Sequence, residues 1–261
     1  MAIIKGTLLL LSVFTYILSG LFINLLTFFA PRLRHRTISH STRILSAVIR
    51  KILGIRLRLE GELSYFKHAG NFIACNHLGY LDGIILSSLF PVIFVTKLQV
   101  KSWPVFGWMS QIGCTIYIDR KRKLGSMDFI SRMSQVLKEG VNILFFPEGT
   151  STDGSKILPF HQAYFQAPLD SVSPVIPVTI QYTKINNEDV STTNRDIVCW
   201  YGQVNFARHL GGVLKQRRIE ARVIIHPKIE THADTYAQNG NRKQLCEATL
   251  TAIAKDFTFI K

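Results

Sequence analysis

In the run "NFIACNHLGYLDG", residues 71 to 83, an apolar stretch ends in Asn76 and His77, and Asp82 follows five positions after the histidine. An imidazole ordinarily titrates near neutrality. A carboxylate accepting its Nδ1–H would fix the tautomer, support positive charge on the ring and leave Nε2 free to take a proton from a hydroxyl. On a continuous α-helix five residues turn the chain by about 500°, leaving the two side chains about 140° apart. The pair therefore meets only if Asn76 to Gly79 form a turn and a helix begins near Leu81, so that first-turn Asp82 folds back. Gly79 supplies the freedom for that turn. The competing interpretation is a His77 that caps the helix and an Asp82 that is merely a favourable first-turn acid.

Composition alone produces His-x4-Asp about 0.3 times in such a chain, but Phe-Pro-Glu-Gly only about 0.001 times. The stretch "FFPEGTSTDG", residues 145 to 154, is therefore the more specific signal. Pro147 and Gly149 after an apolar strand make a tight turn with exposed backbone donors. Glu148 would sit at that strand's carboxyl end, in reach of a ligand hydroxyl. No G-x-S-x-G elbow is present, so a serine nucleophile in the hydrolase manner has no support. A histidine–aspartate pair without its own nucleophile points to a substrate that supplies the hydroxyl.

Holding these groups requires a sheet. "IRLRLEGE" alternates apolar and charged residues from Ile55, and "FIAC" (72–75), "VIFVTK" (92–97), "CTIYID" (114–119), "NILFF" (142–146), "VIPVTIQY" (175–182) and "ARVIIHP" (221–227) are further β-rich runs. Helical stretches fall near 81–90, 126–139 and 160–169, with a last helix from about Asn241 to Phe257. This alternation predicts an α/β fold: a mostly parallel mixed sheet flanked by helices. Ligands gather at the carboxyl ends of such strands. Asn76-His77, Asp119-Arg120 and Pro147-Glu148-Gly149-Thr150 all follow strands, which suggests one site.

Ahead of the sheet lies an uncharged run of 26 residues between Lys5 and Arg32. As a helix it is about 39 Å long, enough to cross a hydrocarbon core of about 30 Å. It is about twice the length of a signal-peptide core and no small-residue cleavage site follows. Gly20 leaves open a helix that enters the membrane and turns back. Residues 1–60 carry nine Lys or Arg against Glu60 alone, out of a net charge of +14. The basic residues follow the apolar run, which places the body on the cytoplasmic side of the inner membrane. Ile44, Leu45, Val48, Ile49, Ile52 and Leu53 form one stripe; it fits either an anionic leaflet or the globular body. The expected division is an apolar anchor (1–31), a basic amphipathic helix or linker (32–54) and a catalytic domain (55–261), the anchor being one helix or a helix pair. The four cysteines are scattered without metal-ligand spacing, so they read as reduced thiols and no metal is expected. Charge concentrated beside an apolar anchor, with no recognition module, argues against nucleic acid.

"NHLGYLD", "GCTIYIDR", "FPEGTSTDG" and "VIPVTI", in this order and spacing, resemble the four blocks of the lysophospholipid acyltransferase family. The resemblance implies acyl transfer from an acyl carrier protein or coenzyme A thioester to a lyso-lipid at an anionic membrane, without a cofactor. It makes His77 the base and Asp82 its orienting partner. Arg120, Glu148, Gly149 and Thr150 would bind the acceptor's polar head, with Lys97 as a weaker phosphate contact or simply a solvated lysine. Gly113 would serve packing, and Pro177 would shape the block that helps form the acyl region. Phosphatidic-acid-forming members commonly read FPEGTR, where this chain has Ser151, and serine cannot replace a bidentate guanidinium. The resemblance thus implies 1-acylglycerol-3-phosphate as the leading acceptor, with lyso-ornithine lipid or another lysophospholipid as the alternative.

Overall fold

The computed structural model describes residues 1–67, 70–119, 127–231 and 241–260. The chain starts with a helical hairpin, α1 (Ala2–Leu26) and α2 (Pro31–Leu53). Pro31 fixes the first helical position of α2, and Gly54, left-handed at φ 75°, ends it. The strands β1 (Ile55–Gly61), β2 (Phe72–Cys75), β3 (Ile93–Lys97), β4 (Ile116–Ile118), β5 (Ile143–Phe145), β6 (Val175–Ile185), β7 (Glu188–Asp189) and β8 (Ile219–Ile225) form one sheet. Its order is β1-β8-β6-β2-β5-β3-β4, with β7 paired to β6. Along that order only β6 and β8 run antiparallel to each other.

The helices α3 (Tyr80–Leu89), α4 (Phe106–Ile112), α5 (Met127–Lys138), α6 (Gln166–Ser171), α7 (Phe206–Lys215) and α8 (Asn241–Lys255) cover the sheet. One core includes α2, α3 and one face of β2, β6 and β8; a second includes β3, β4, β5, α5 and α8. The central strands β2, β5 and β6 lie side by side, with Phe72 registered against both Ile143 and Val175. Their carboxyl ends therefore open at one edge of the sheet, which is what brings distant loops together.

The hairpin does not stand away from this body. Leu45, Ile49 and Leu53 of the α2 stripe are buried, whereas Ile44 and Val48 are exposed. The body thus takes half the predicted stripe, and Ser87 Oγ of α3 donates to Ser46 Oγ of α2 at 2.7 Å. Helix α1 is tied at both ends: Lys5 Nζ donates to the carbonyls of Leu53 (3.0 Å) and Gln216 (2.9 Å), and Asn24 Nδ2 to that of Ile112 (3.3 Å). Of the two forms left open at Gly20, a turn-back at that residue does not occur. α1 runs straight through it, and the chain reverses at residues 27–30 instead. Gly20 is small because Ile112 packs where a Cβ would be. Gly113 likewise leaves room for the Tyr16 hydroxyl, 3.1 Å from where its Cβ would stand.

Gly20→Val should therefore push α4 off α1. Overpacking of this kind costs about 1–3 kcal/mol; thermal unfolding in detergent should show the loss, and an unchanged midpoint would refute the packing role.

Candidate active site

The chain leaves β2 through Asn76, whose amide clamps β6. Asn76 Nδ2 donates to Ile180 O at 2.9 Å, and Ile180 N donates to Asn76 Oδ1 at 2.8 Å. His77 follows at the strand end, its ring stacked on Phe146 with centroids 4.0 Å apart. The turn and helix α3 bring Asp82 back, and His77 Nδ1 lies 2.9 Å from Asp82 Oδ2. Asp82 is fully buried. Its Oδ2 also accepts from the amides of Leu78 (2.6 Å) and Gly79 (2.8 Å), and its Oδ1 from the Tyr182 hydroxyl (2.6 Å). Burial, and then the Asp82 charge, hold the Tyr182 phenol well above its ordinary pKa, so it stays a donor.

These bonds decide the tautomer. An ionised carboxylate only accepts, so Nδ1 carries the proton and Nε2 presents a lone pair. The histidine side chain keeps 21% exposure while its partner has none. A base open to substrate beside a dry counter-charge is suited to general-base catalysis. Gly79 is needed for a different reason from the one expected. At φ 163° it is ordinary extended backbone; what excludes a side chain is Trp200, whose amide nitrogen would stand 2.9 Å from a Cβ.

Glu148 also differs from expectation. It is 4% exposed and does not reach outward to a ligand. Its Oε1 accepts from the amide of His77 at 2.7 Å and its Oε2 from the amide of Leu158 at 2.7 Å. The carboxylate therefore braces the peptide that carries the base. Burial pushes its pKa up from 4.5 to about 7, against the pull of the Leu158 and His77 amides and the His77 charge. Thr152 N donates to His77 O at 2.9 Å, so both sides of that residue are fastened to one loop. Gly149 makes the bend at φ 71°, a left-handed conformation that favours glycine, Pro147 is buried, and Thr150 is exposed at the mouth. Farther along, Ile260 N donates to Gly154 O at 2.9 Å, so a late segment rests on the same loop.

Among the other expected residues, Arg120 lies outside the described residues. Lys97 is exposed, with its ammonium 5.5 Å from the centroid of the Trp103 ring. Pro177 is buried in mid-β6, registered with Ala74, and its carbonyl accepts from His226 N at 3.0 Å. Sequence reasoning missed Tyr182, Thr152 and Trp200. Only Tyr182 left a trace: a tyrosine in a central, buried strand must find a partner for its hydroxyl.

A family model described as "Acyltransferase" matches residues 56–181. The chain is 32% identical over 217 residues to a lyso-ornithine lipid O-acyltransferase of Rhodobacter capsulatus, covering 81% of this chain and 74% of that protein. A protein of the same name from Rhizobium meliloti is 31% identical over 201 residues, which cover 74% of this chain and 66% of that protein. A 1-acyl-sn-glycerol-3-phosphate acyltransferase of Neisseria gonorrhoeae is 34% identical over 113 residues, 43% of this chain and 44% of that one. In fold the chain is similar to the crystal structure of the 1-acyl-sn-glycerophosphate acyltransferase of Thermotoga maritima, with TM-score 0.60, 17% identity and coverage of 98% and 97% of the two chains. With the matched blocks carrying the paired histidine and aspartate, this chain is an acyltransferase and belongs to the lysophospholipid acyltransferase family.

Proposed function

We propose that this protein transfers a fatty acyl group from an acyl carrier protein or coenzyme A thioester to the hydroxyl of a lyso-lipid at the inner face of an anionic membrane. The observation that carries the reading is the 2.9 Å contact between His77 Nδ1 and the buried, four-times-bonded Asp82. Nε2 takes the acceptor's hydroxyl proton as its oxygen attacks the thioester carbonyl. The tetrahedral intermediate collapses, the C–S bond breaks, and the departing thiolate recovers the proton from Nε2–H. Asp82 stabilises the imidazolium in between. Among the described residues, none of the hydrogen bonds of His77 goes to a serine or cysteine side chain, which favours direct attack by the acceptor over an acyl-enzyme.

The hairpin suits a membrane of one leaflet's depth. α1 is long and apolar enough to cross a bilayer, yet both its ends are bonded to the body. Ile3, Leu10, Phe14, Leu21 and Leu25 are exposed along its outer side, and Phe29 in the turn that follows. A helix held along a domain in this way lies in the membrane surface, with the exposed Arg32 and Arg36 at its turn meeting anionic headgroups.

Two acceptors come from the relatives' names, lyso-ornithine lipid and 1-acylglycerol-3-phosphate. Lyso-ornithine lipid is placed first. The longer matches bear that name, and Ser151, where an arginine would grip a phosphate, donates its hydroxyl to Trp200 O at 2.6 Å. Supplying membranes with each acceptor and a radiolabelled acyl donor tests this; label incorporated into neither acceptor would reject the function.

His77→Ala should lower acyl transfer by about 10²–10⁴-fold, with flotation alongside vesicles unchanged; transfer at the wild-type rate would rule out the assigned base. Glu148 gives a pH test. Its folded pKa of about 7 lies above the ordinary 4.5, so the folded chain holds this proton to higher pH than the unfolded chain. The stability it contributes is complete below about pH 4.5 and is lost as pH rises toward 7, on the order of 3 kcal/mol in all. Unfolding free energies measured from pH 5 to 8 should show wild type losing ground to Glu148→Gln as pH rises. A gap independent of pH would contradict the raised pKa.

A further inference from the structure

The connection from β6 to β8 lies beyond the family-matched residues 56–181. Part of it, residues 191–206, is strapped onto the catalytic loops through the backbone of Trp200. Trp200 N donates to Leu78 O at 2.8 Å, and Ser151 Oγ donates to Trp200 O at 2.6 Å. One peptide segment thus bridges the histidine loop and the glutamate loop, and Gly79 leaves the space that lets it approach.

The strap delivers Arg195, whose Nη2 lies 2.8 Å from Asp153 Oδ2. Asp153 follows Thr152, the residue whose amide holds His77 O. Its other oxygen, Oδ1, is fixed by Ser155 N at 3.0 Å and Ser155 Oγ at 2.6 Å. Both members of the ion pair remain partly open, with 18% exposure for the Arg195 side chain and 20% for Asp153. The neighbouring Asp196 carboxylate accepts from the Tyr201 hydroxyl at 2.9 Å. A guanidinium and two carboxylates therefore stand on a fastened strap and loop, with Asp153 one residue along the chain from the Thr152 that holds His77 O.

Resting on the acyltransferase reading above, we propose that the Asp153–Arg195 pair is the acceptor-headgroup subsite and that it selects a zwitterionic headgroup carrying both an ammonium and a carboxylate. Exchange with a headgroup that carries both charges leaves neither member of this largely enclosed pair without a partner. The guanidinium can take the headgroup carboxylate in a two-pronged bond, while Asp153 takes the ammonium. A phosphate monoester can engage the guanidinium but offers no cation to the displaced Asp153, and it is repelled by Asp153 and Asp196. The Ser151–Trp200 bond fastens the strap to the loop that carries Asp153.

The test uses the purified full-length protein in mixed micelles with one labelled acyl thioester. The two acceptors are an ornithine-headgroup lyso-lipid and lysophosphatidic acid of matched chain length. Arg195→Gln should lower kcat/KM for the ornithine acceptor about tenfold or more, mainly through KM. The loss should be at least about fivefold smaller for lysophosphatidic acid, which has no ammonium to complete the exchange with Asp153, and Arg195→Lys should recover part of the ornithine loss. A parallel fall for both acceptors would reduce the pair to a fastener of the strap and overturn the assignment, as would no change for either. If wild type acylates lysophosphatidic acid alone, the subsite is refuted while the acyltransferase reading stands. Turnover of neither acceptor would refute that reading as well.

Discussion

A carboxylate with no exposure must replace the water it has given up, and Asp82 does so with four donors. Leaving a buried charge without such partners costs several kcal/mol. Two of the donors are successive backbone amides at the start of α3, where the helix dipole also favours negative charge. The third is the histidine and the fourth comes from β6. The demand of one desolvated acid thus fixes the β2–α3 turn, the direction of the imidazole and the seating of Tyr182 together. The arrangement is half of a capping box, extended to hold an imidazole.

Glu148 is solved less completely. Two amides satisfy it where Asp82 has four donors, and burial raises its pKa to about 7. The loop that carries it is in turn pinned by His77, Trp200 and Ile260. Stability is spent here on immobility: the base's own peptide is held from both sides before any substrate arrives. Preorganisation of this kind is where perturbed acids tend to be found.

Much of the scaffold was legible because its strands are short β-branched runs whose burial needs no distant information. The cores of "FIAC", "VIPVTIQY" and "ARVIIHP" lie in β2, β6 and β8, and the α3 and α5 boundaries fall within a residue of expectation. The meeting of His77 and Asp82 was legible from turn geometry, since five residues cannot meet on a straight helix. The direction of Glu148 was not, because a one-dimensional pattern does not say whether a carboxylate at a strand end faces ligand or backbone. α4 is only seven residues long, too short for a period to announce it; α7 carries Phe206, Leu210, Val213 and Leu214 at helical spacing, but Gly211 and Gly212 interrupt the run. Trp200 escaped for a plainer reason: it acts through main-chain atoms, which every residue type shares.

The bonds that build the site span long stretches of chain: 71 residues from His77 to Glu148 and 100 from Asp82 to Tyr182. Contacts of such separation require large loops to close before they reward the chain, and they form slowly. The helical hairpin, by contrast, closes over a few residues. A nascent chain therefore acquires its greasy, membrane-seeking end long before its chemistry, and maturation of the reactive centre becomes an event completed on the lipid surface.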